Sequence, residues 1–289
     1  MVTVPEAFAR WRAHVDGDEG RAWVASLPAR VERLAGQWDL RLDDAAPLHG
    51  AQALVLLVTR DDRPLVLKLS APRDPTTATE AAGLRAWAGR GVVELVAAEP
   101  GALLLERLDH TRSLHDLPIL QAAEVAGGLI RTLAVAAPAG LPQAGSGIAA
   151  TLGDRQRRLG DPVPDRFLAR AFRYAAELPG VGENVLIHAD LHYGNVLAGT
   201  RRPWLAIDPR PLRGTPEYAV PELMWNRADE VADLPGLLSA LVEAGGLDAE
   251  LARGWVIVRC VDYWLWGVER GLTIDPVRCE RVLAALLPG

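Results

Sequence analysis

The stretch from Val185 to Pro211, VLIHADLHYGNVLAGTRRPWLAIDPRP, restricts the fold of this 289-residue chain more than any other. The apolar run Val185-Leu186-Ile187 ends in HADLHYGN, and two more short apolar runs, Val196 to Ala198 and Trp204 to Ile207, flank the turn-forming GTRRP. Strand, polar loop and hairpin is the natural reading. With Ala198 taken opposite Leu205, Asn195 and Asp208 are expected side by side at the open end of the hairpin.

A neutral and an anionic oxygen ligand placed together suit a magnesium ion shared with a polyphosphate, because that ion keeps waters and takes few protein ligands. Asp190, on the loop entering the hairpin, can accept or orient the proton of an attacking hydroxyl. The segment implies phosphoryl transfer, with His188 and His192 bracing the loop by hydrogen bonds. Singly, each residue has a plainer reading: Asp208 as a turn initiator before Pro209, Asn195 as a strand-edge cap, Asp190 as a surface loop residue. Their combination, with strands on both sides, favours the chemical one.

Of the 31 basic residues only Lys68 is a lysine. In so arginine-rich a chain, lysine is expected where a compact ammonium serves and a planar fork does not. Lys68 lies in the apolar run PLVLKL, where alternation puts Val66 and Lys68 on one face and Leu67 and Leu69 on the other. The expected role is contact with the α and β phosphates of a nucleotide; the alternative is an edge lysine. On the helix expected from about Thr76 to Ala88, Glu80, Leu84 and Trp87 share a face. Glu80 is either the partner of Lys68 or the end of a T-x-x-E capping box begun at Thr77.

A net charge of -6 disfavours nucleic acid as a partner and suits a cationic small molecule. No apolar run approaches the ~18 residues of a membrane span. Cys260 and Cys279, without a CxxC pair, read as small buried hydrophobes in a reducing compartment. The opening MVTVPEAFARWR is no signal peptide, so a cytoplasmic protein is expected. GSGIAA at Gly145 follows no strand and is rejected as a dinucleotide loop.

Residues 1–36 read as two helices broken near Asp16-Gly17, with Phe8, Trp11 and Val15, then Trp23, Leu27, Val31 and Leu34, at helical spacing. They are expected as a helical appendage. Residues 37–105 carry short strands (WDLRL, ALVLLV, PLVLKLS, GALLLERL) and one helix, and are expected to bind the nucleotide. Residues 106–289 are mainly helical, with the catalytic loop and the substrate site.

HADLHYGN followed by LAIDPRP resembles the catalytic segment of the aminoglycoside phosphotransferases, relatives of the protein kinases. Together with VLKLS, the helix glutamate, GALLLERL and PEYAVPELMWNR, it makes the chain most similar to the branch of streptomycin 6-kinases and hydroxyurea phosphotransferases, over about residues 48–227. The resemblance implies an α+β, bilobal protein-kinase-like fold, with a small sheet-rich N-lobe, a larger helical C-lobe and ATP in the cleft. It implies that Lys68 and Glu80 position the phosphates, that Val66 lines the base pocket and that the backbone from Glu106 to Leu108 bonds the adenine. Asp190 would serve the acceptor hydroxyl, and Asn195 and Asp208 would hold Mg2+. Three positions depart from the family pattern: Ala189 stands for a usual glycine, and Thr215 and Ala219 stand where aspartates are expected.

The expected activity is ATP-dependent phosphorylation of a hydroxyl on a cationic small molecule, an aminoglycoside of the streptomycin type, as antibiotic inactivation. Rival readings are a kinase for an amino sugar, hydroxyurea or another small acceptor, and a non-catalytic nucleotide-binding regulator suggested by Ala219. Asp262 and Glu269, at helical spacing in DYWLWGVE, either receive cationic groups of the substrate or form a solvated helix face. The chain is expected to act as a monomer or weak dimer, away from nucleic acid and membranes.

Overall fold

The computed structural model describes residues 2–71 and 75–287. The chain divides into two units, residues 1–89 with 93–108, and residues 90–92 with 109–289.

The first unit begins with α1 (Glu6–Trp38), which bends at Gly17, where φ is 60° and ψ is -132°. Glycine permits this conformation without steric cost, so the break falls where the sequence puts it. The following elements are β1 (Arg41–Leu42), β2 (Leu48–His49), β3 (Leu54–Arg60), β4 (Arg63–Leu69), α2 (Pro75–Trp87), β5 (Leu95–Glu99) and β6 (Ala102–Glu106). The strands make one antiparallel sheet in the order β1-β3-β4-β6-β5, with β2 also paired to β3. Asp61 and Asp62, both left-handed, form the tight turn between β3 and β4.

Alternation decides what β4 buries. Leu65, Leu67 and Leu69 are buried, while Val66 and Lys68 face the other way, half-buried. The leucine face packs with Leu54, Leu56, Val58 and Leu104 against Phe8, Trp23, Leu27, Val31 and Leu34 of α1. The N-terminal helix, expected as an appendage, therefore shares the core of the sheet. Trp11 and Val15, expected on its apolar stripe, are exposed instead. Trp11 lies at the surface, its indole donating to the carbonyl of Ala51 at 3.1 Å.

The second unit contains β7 (Asp109–Ser113), α3 (Ile119–Leu133), β8 (Val135–Ala136), α4 (Ile148–Arg158), α5 (Asp165–Glu177), β9 (Val185–His188), β10 (Val196–Ala198), β11 (Trp204–Ala206), β12 (Pro211–Gly214), α6 (Pro221–Trp225), α7 (Leu234–Gly245), α8 (Ala249–Glu269) and α9 (Ile274–Leu286). The expected hairpin is β10–β11, and β7 pairs with the free side of β10. A second small sheet places β9 between β8 and β12. Neither β7 (DHTRS) nor β12 (PLRG) has the apolar alternation that marks a strand, and Pro211 is tolerated because β12 is an edge. The long helix α8 is buried along much of its length and packs against α5 and α9. Among the described residues no helix is long and apolar enough to cross a membrane.

Helices α3 and α7 meet at Gly127, where a Cβ would stand 2.8 Å from the Ala244 Cβ and from the Leu241 carbonyl oxygen. Backbone cannot retreat as a flexible side chain can. Gly127→Leu is therefore expected to destabilise the fold by about 1–3 kcal/mol, read as a lower urea midpoint at unchanged slope.

Candidate active site

All four residues of β9 are buried, so the chain emerges from the core only after His188. It turns at Ala189-Asp190, is pinned by the fully buried Leu191, and runs through a short helical turn, Tyr193–Asn195, into β10. His188 is itself buried and donates from Nε2 to the carbonyl of Ile207 at 2.9 Å, while its Nδ1 accepts from the Asp190 backbone N–H at 3.4 Å. Burial holds this imidazole below the usual histidine range, hence neutral. His192, held low by burial as well, accepts at Nδ1 from the Gly194 N–H at 3.2 Å. Both histidines thus hydrogen-bond to loop backbone.

The side-chain amide of Asn195 donates to the Asp190 carbonyl at 2.9 Å. The loop is closed on itself, with the Asp190 carboxylate a quarter exposed at its tip. The hairpin register differs by one residue from the sequence-based expectation: Ala198 faces Trp204, and Asn195 accepts from Ile207 N–H at 2.8 Å. Asp208 is consequently one step beyond the residue opposite Asn195. It takes a left-handed conformation, φ 54°, which turns the chain out of the strand before Pro209 and which aspartate tolerates better than most residues. The connection between Ala198 and Trp204, closed by the Gly199 N–H on the Pro203 carbonyl at 3.3 Å, sets this register, one residue tighter than expected.

In the first unit Lys68 donates to both carboxylate oxygens of Glu80, at 2.8 Å each. The rival capping box does not form, because α2 begins at Pro75 and leaves Thr77 inside the helix, its buried hydroxyl without a partner among the described residues. Val66 shares the Lys68 face, opposite Leu105 of β6. Glu106 accepts from Glu94 N–H at 3.0 Å through its carboxylate, bracing the start of β5. Leu108 is buried.

Other positions differ from expectation. Asp262 lies between Arg155 at 2.9 Å and Arg259 at 2.8 Å, and Glu269 pairs with Arg158 at 2.7 Å and Arg155 at 3.5 Å. Neither acid presents an unpaired charge, because Asp262 is met from α4 and α8 and Glu269 by two arginines of α4. Two residues were not singled out from the sequence. Arg210 places its Nε 3.4 Å from Asp190 Oδ2; its position in DPRP, directly after the metal-type aspartate, was the available signal. Glu222, one helical turn past Ala219, accepts from Arg259 at 3.0 Å. Its Oε2 is buried without a hydrogen-bond partner among the described residues, and burial together with the nearby Asp190 pushes the carboxyl up to about 8. No sequence pattern marked it.

Residues 37–271 match the family model described as aminoglycoside/hydroxyurea antibiotic resistance kinase. The chain belongs to that family. It is 40% identical to a streptomycin 6-kinase of Streptomyces glaucescens, covering 96% of this chain and 94% of the relative. It is also 40% identical to a hydroxyurea phosphotransferase of Kitasatospora aureofaciens, over 99% of this chain and 86% of the relative. Among solved structures, a thermostable mutant of the aminoglycoside phosphotransferase APH(4)-Ia, in ternary complex with ADP and hygromycin B, has a TM-score of 0.62 at 17% identity, covering 88% of this chain and 97% of that one. The α+β kinase-like fold expected from the sequence is the one observed, and the protein is a small-molecule phosphotransferase of the antibiotic-resistance kind.

The two buried histidines of this kinase make its stability depend on acid. Because the folded state holds their pKa values low, the unfolded chain takes up protons first as pH falls through about 6.5, and stability is lost toward low pH. His188→Gln keeps an N–H donor but cannot titrate. Its urea midpoint should fall less steeply than that of the wild type between about pH 7.5 and pH 5.5.

Proposed function

We propose that this kinase transfers the γ-phosphoryl group of ATP to a hydroxyl of a streptomycin-type aminoglycoside, in the cytoplasm and as a monomer or weak dimer. The observation that carries the reading is the closed loop around Asp190, braced by His188 and Asn195, in a chain 40% identical to a streptomycin 6-kinase along almost its whole length. In this reading the Asp190 carboxylate orients the attacking hydroxyl and takes its proton. Lys68, held by Glu80, neutralises the α and β phosphates, Val66 lies against the base, and the backbone from Glu106 to Leu108 bonds its edge. Phosphoryl transfer has a loose transition state, so positioning and charge neutralisation supply most of the rate.

Asn195 and Asp208 would hold Mg2+. The residues fit: the Asn195 amide nitrogen is used on the Asp190 carbonyl, which leaves its oxygen as the ligand atom, and Asp208 leaves the strand beside it. Among the described residues no three His, Cys, Asp or Glu side chains converge as a metal cage. A two-ligand site completed by phosphate oxygens and water is what this cation prefers. When bound, it would supply positive charge to the phosphates.

Hydroxyurea as acceptor is a second reading, favoured by the equal identity to a hydroxyurea phosphotransferase. Incubation with ATP and Mg2+, followed by product mass, separates the two: a gain of one phosphate on streptomycin is the expected result, and a gain on hydroxyurea alone would establish the second. Asp190→Ala should lower kcat by about a hundredfold to ten-thousandfold while ADP affinity, measured by calorimetry, stays unchanged. Chelation of Mg2+ should abolish turnover and be reversed by adding the ion back.

A further inference from the structure

Around Asp190 the second unit arranges charges in a chain. Arg259 on α8 donates to Glu222 at 3.0 Å and to Asp262 at 2.8 Å, and its guanidinium lies over the rings of Tyr218 and Trp225 at 5.4 and 6.0 Å. Arg155 completes Asp262 at 2.9 Å and continues to Glu269. Arg259, fixed by two carboxylates and two rings, serves only one oxygen of Glu222 in this network. The other, Oε2, is withdrawn from solvent without a donor among the described residues. The neighbouring acids Asp262 and Glu269 are each already met by arginine. A desolvated carboxylate oxygen without a donor is unfavourable, and Asp190 close by adds repulsion. A cationic N–H donor would relieve both.

We infer that Glu222 is the residue that receives a guanidinium or ammonium group of the acceptor, and that it sets this kinase's preference for a cationic molecule over a neutral one. The inference rests on the phosphotransfer reading above for the identity of the acceptor. It differs from the expectation for Asp262 and Glu269, whose charges the protein itself consumes. Arg210 does not fill the position, since it pairs with Asp190 at 3.4 Å and more than half of its side chain is exposed.

Binding should be linked to pH. The groups that act on Glu222 are Asp190 and Arg210 from the catalytic loop and β12 edge, Arg259 and Tyr263 from α8, and Tyr218 beside α6. Burial raises both tyrosines, so their hydroxyls stay neutral, and Arg259, raised by its acidic neighbours, stays charged. Glu222, held high, carries a proton in the substrate-free protein near neutrality and gives it up to pair with a cation.

Calorimetric titration of the full chain with streptomycin in the absence of nucleotide tests this without turnover. A chain that binds streptomycin through Glu222 but fails to phosphorylate it would count against the proposed activity and leave the inference standing. Glu222→Gln should weaken streptomycin binding by about 30-fold or more, with ADP affinity within about twofold of wild type, and Glu222→Asp, which keeps the charge, should retain more affinity than the amide. Wild-type affinity should rise between about pH 6 and pH 8, with a proton released to the buffer on binding near pH 7, and the Gln variant should lose both effects. Undiminished streptomycin affinity in Glu222→Gln would overturn the inference, and so would wild-type binding that releases no proton. Should the Gln variant fail to fold, the wild-type proton release decides.

Discussion

The hydrogen bond from the buried His188 imidazole to the Ile207 carbonyl ties the two ends of the catalytic segment together. One end is β9, which delivers Asp190, and the other is β11, which delivers Asp208. That bond adds a side-chain tie to the backbone bonds Ala189 N–H to Arg210 carbonyl and Ile207 N–H to Asn195 carbonyl, so the Asn195 amide holds the Asp190 carbonyl from a fixed position. The imidazole can do this only while neutral, since both ring nitrogens are committed and water is excluded. Burial, which makes the bond strong, also makes the loop sensitive to acid.

The same economy of desolvated charge runs through the first unit. Lys68 projects from the face of β4 opposite the leucines, and a half-buried ammonium there is stable because Glu80 meets it with both oxygens. The sheet fixes the lysine by its register with Leu103 and Val55, and α2 fixes the glutamate. Two rigid elements therefore hold the pair, and neither long side chain gives up much further freedom on meeting a phosphate.

In the second unit arginine takes over the work of neutralisation. Arg155, Arg158 and Arg259 bind the acids of α8 and α6, and their forked, planar groups let one cation serve two carboxylates. This accounts for a chain that retains a single lysine, and it leaves Glu222 as the carboxylate beside Asp190 with an oxygen to spare. Although no carboxyl group stands at Ala219, Glu222, one turn along, still places one near Asp190.

Local patterns in the sequence determined the strand, loop and hairpin that carry Asp190, Asn195 and Asp208, the face of β4 that carries Lys68, and the family. Strand alternation and turn residues act over a few positions and need no partner from elsewhere. The bend at Gly17 was legible for the same reason. The tertiary structure alone decided the rest. It set the register of the hairpin through the closure of the loop from Gly199 to Pro203, and it added β7 and β12, whose polar or proline-containing sequences form strands only because a neighbour offers hydrogen bonds. It also chose which arginine each acid meets: Asp262 meets Arg155 across 107 positions of sequence and Glu222 meets Arg259 across 37. Burial and ion pairing depend on which surfaces come together in the folded chain, and no local window contains that information.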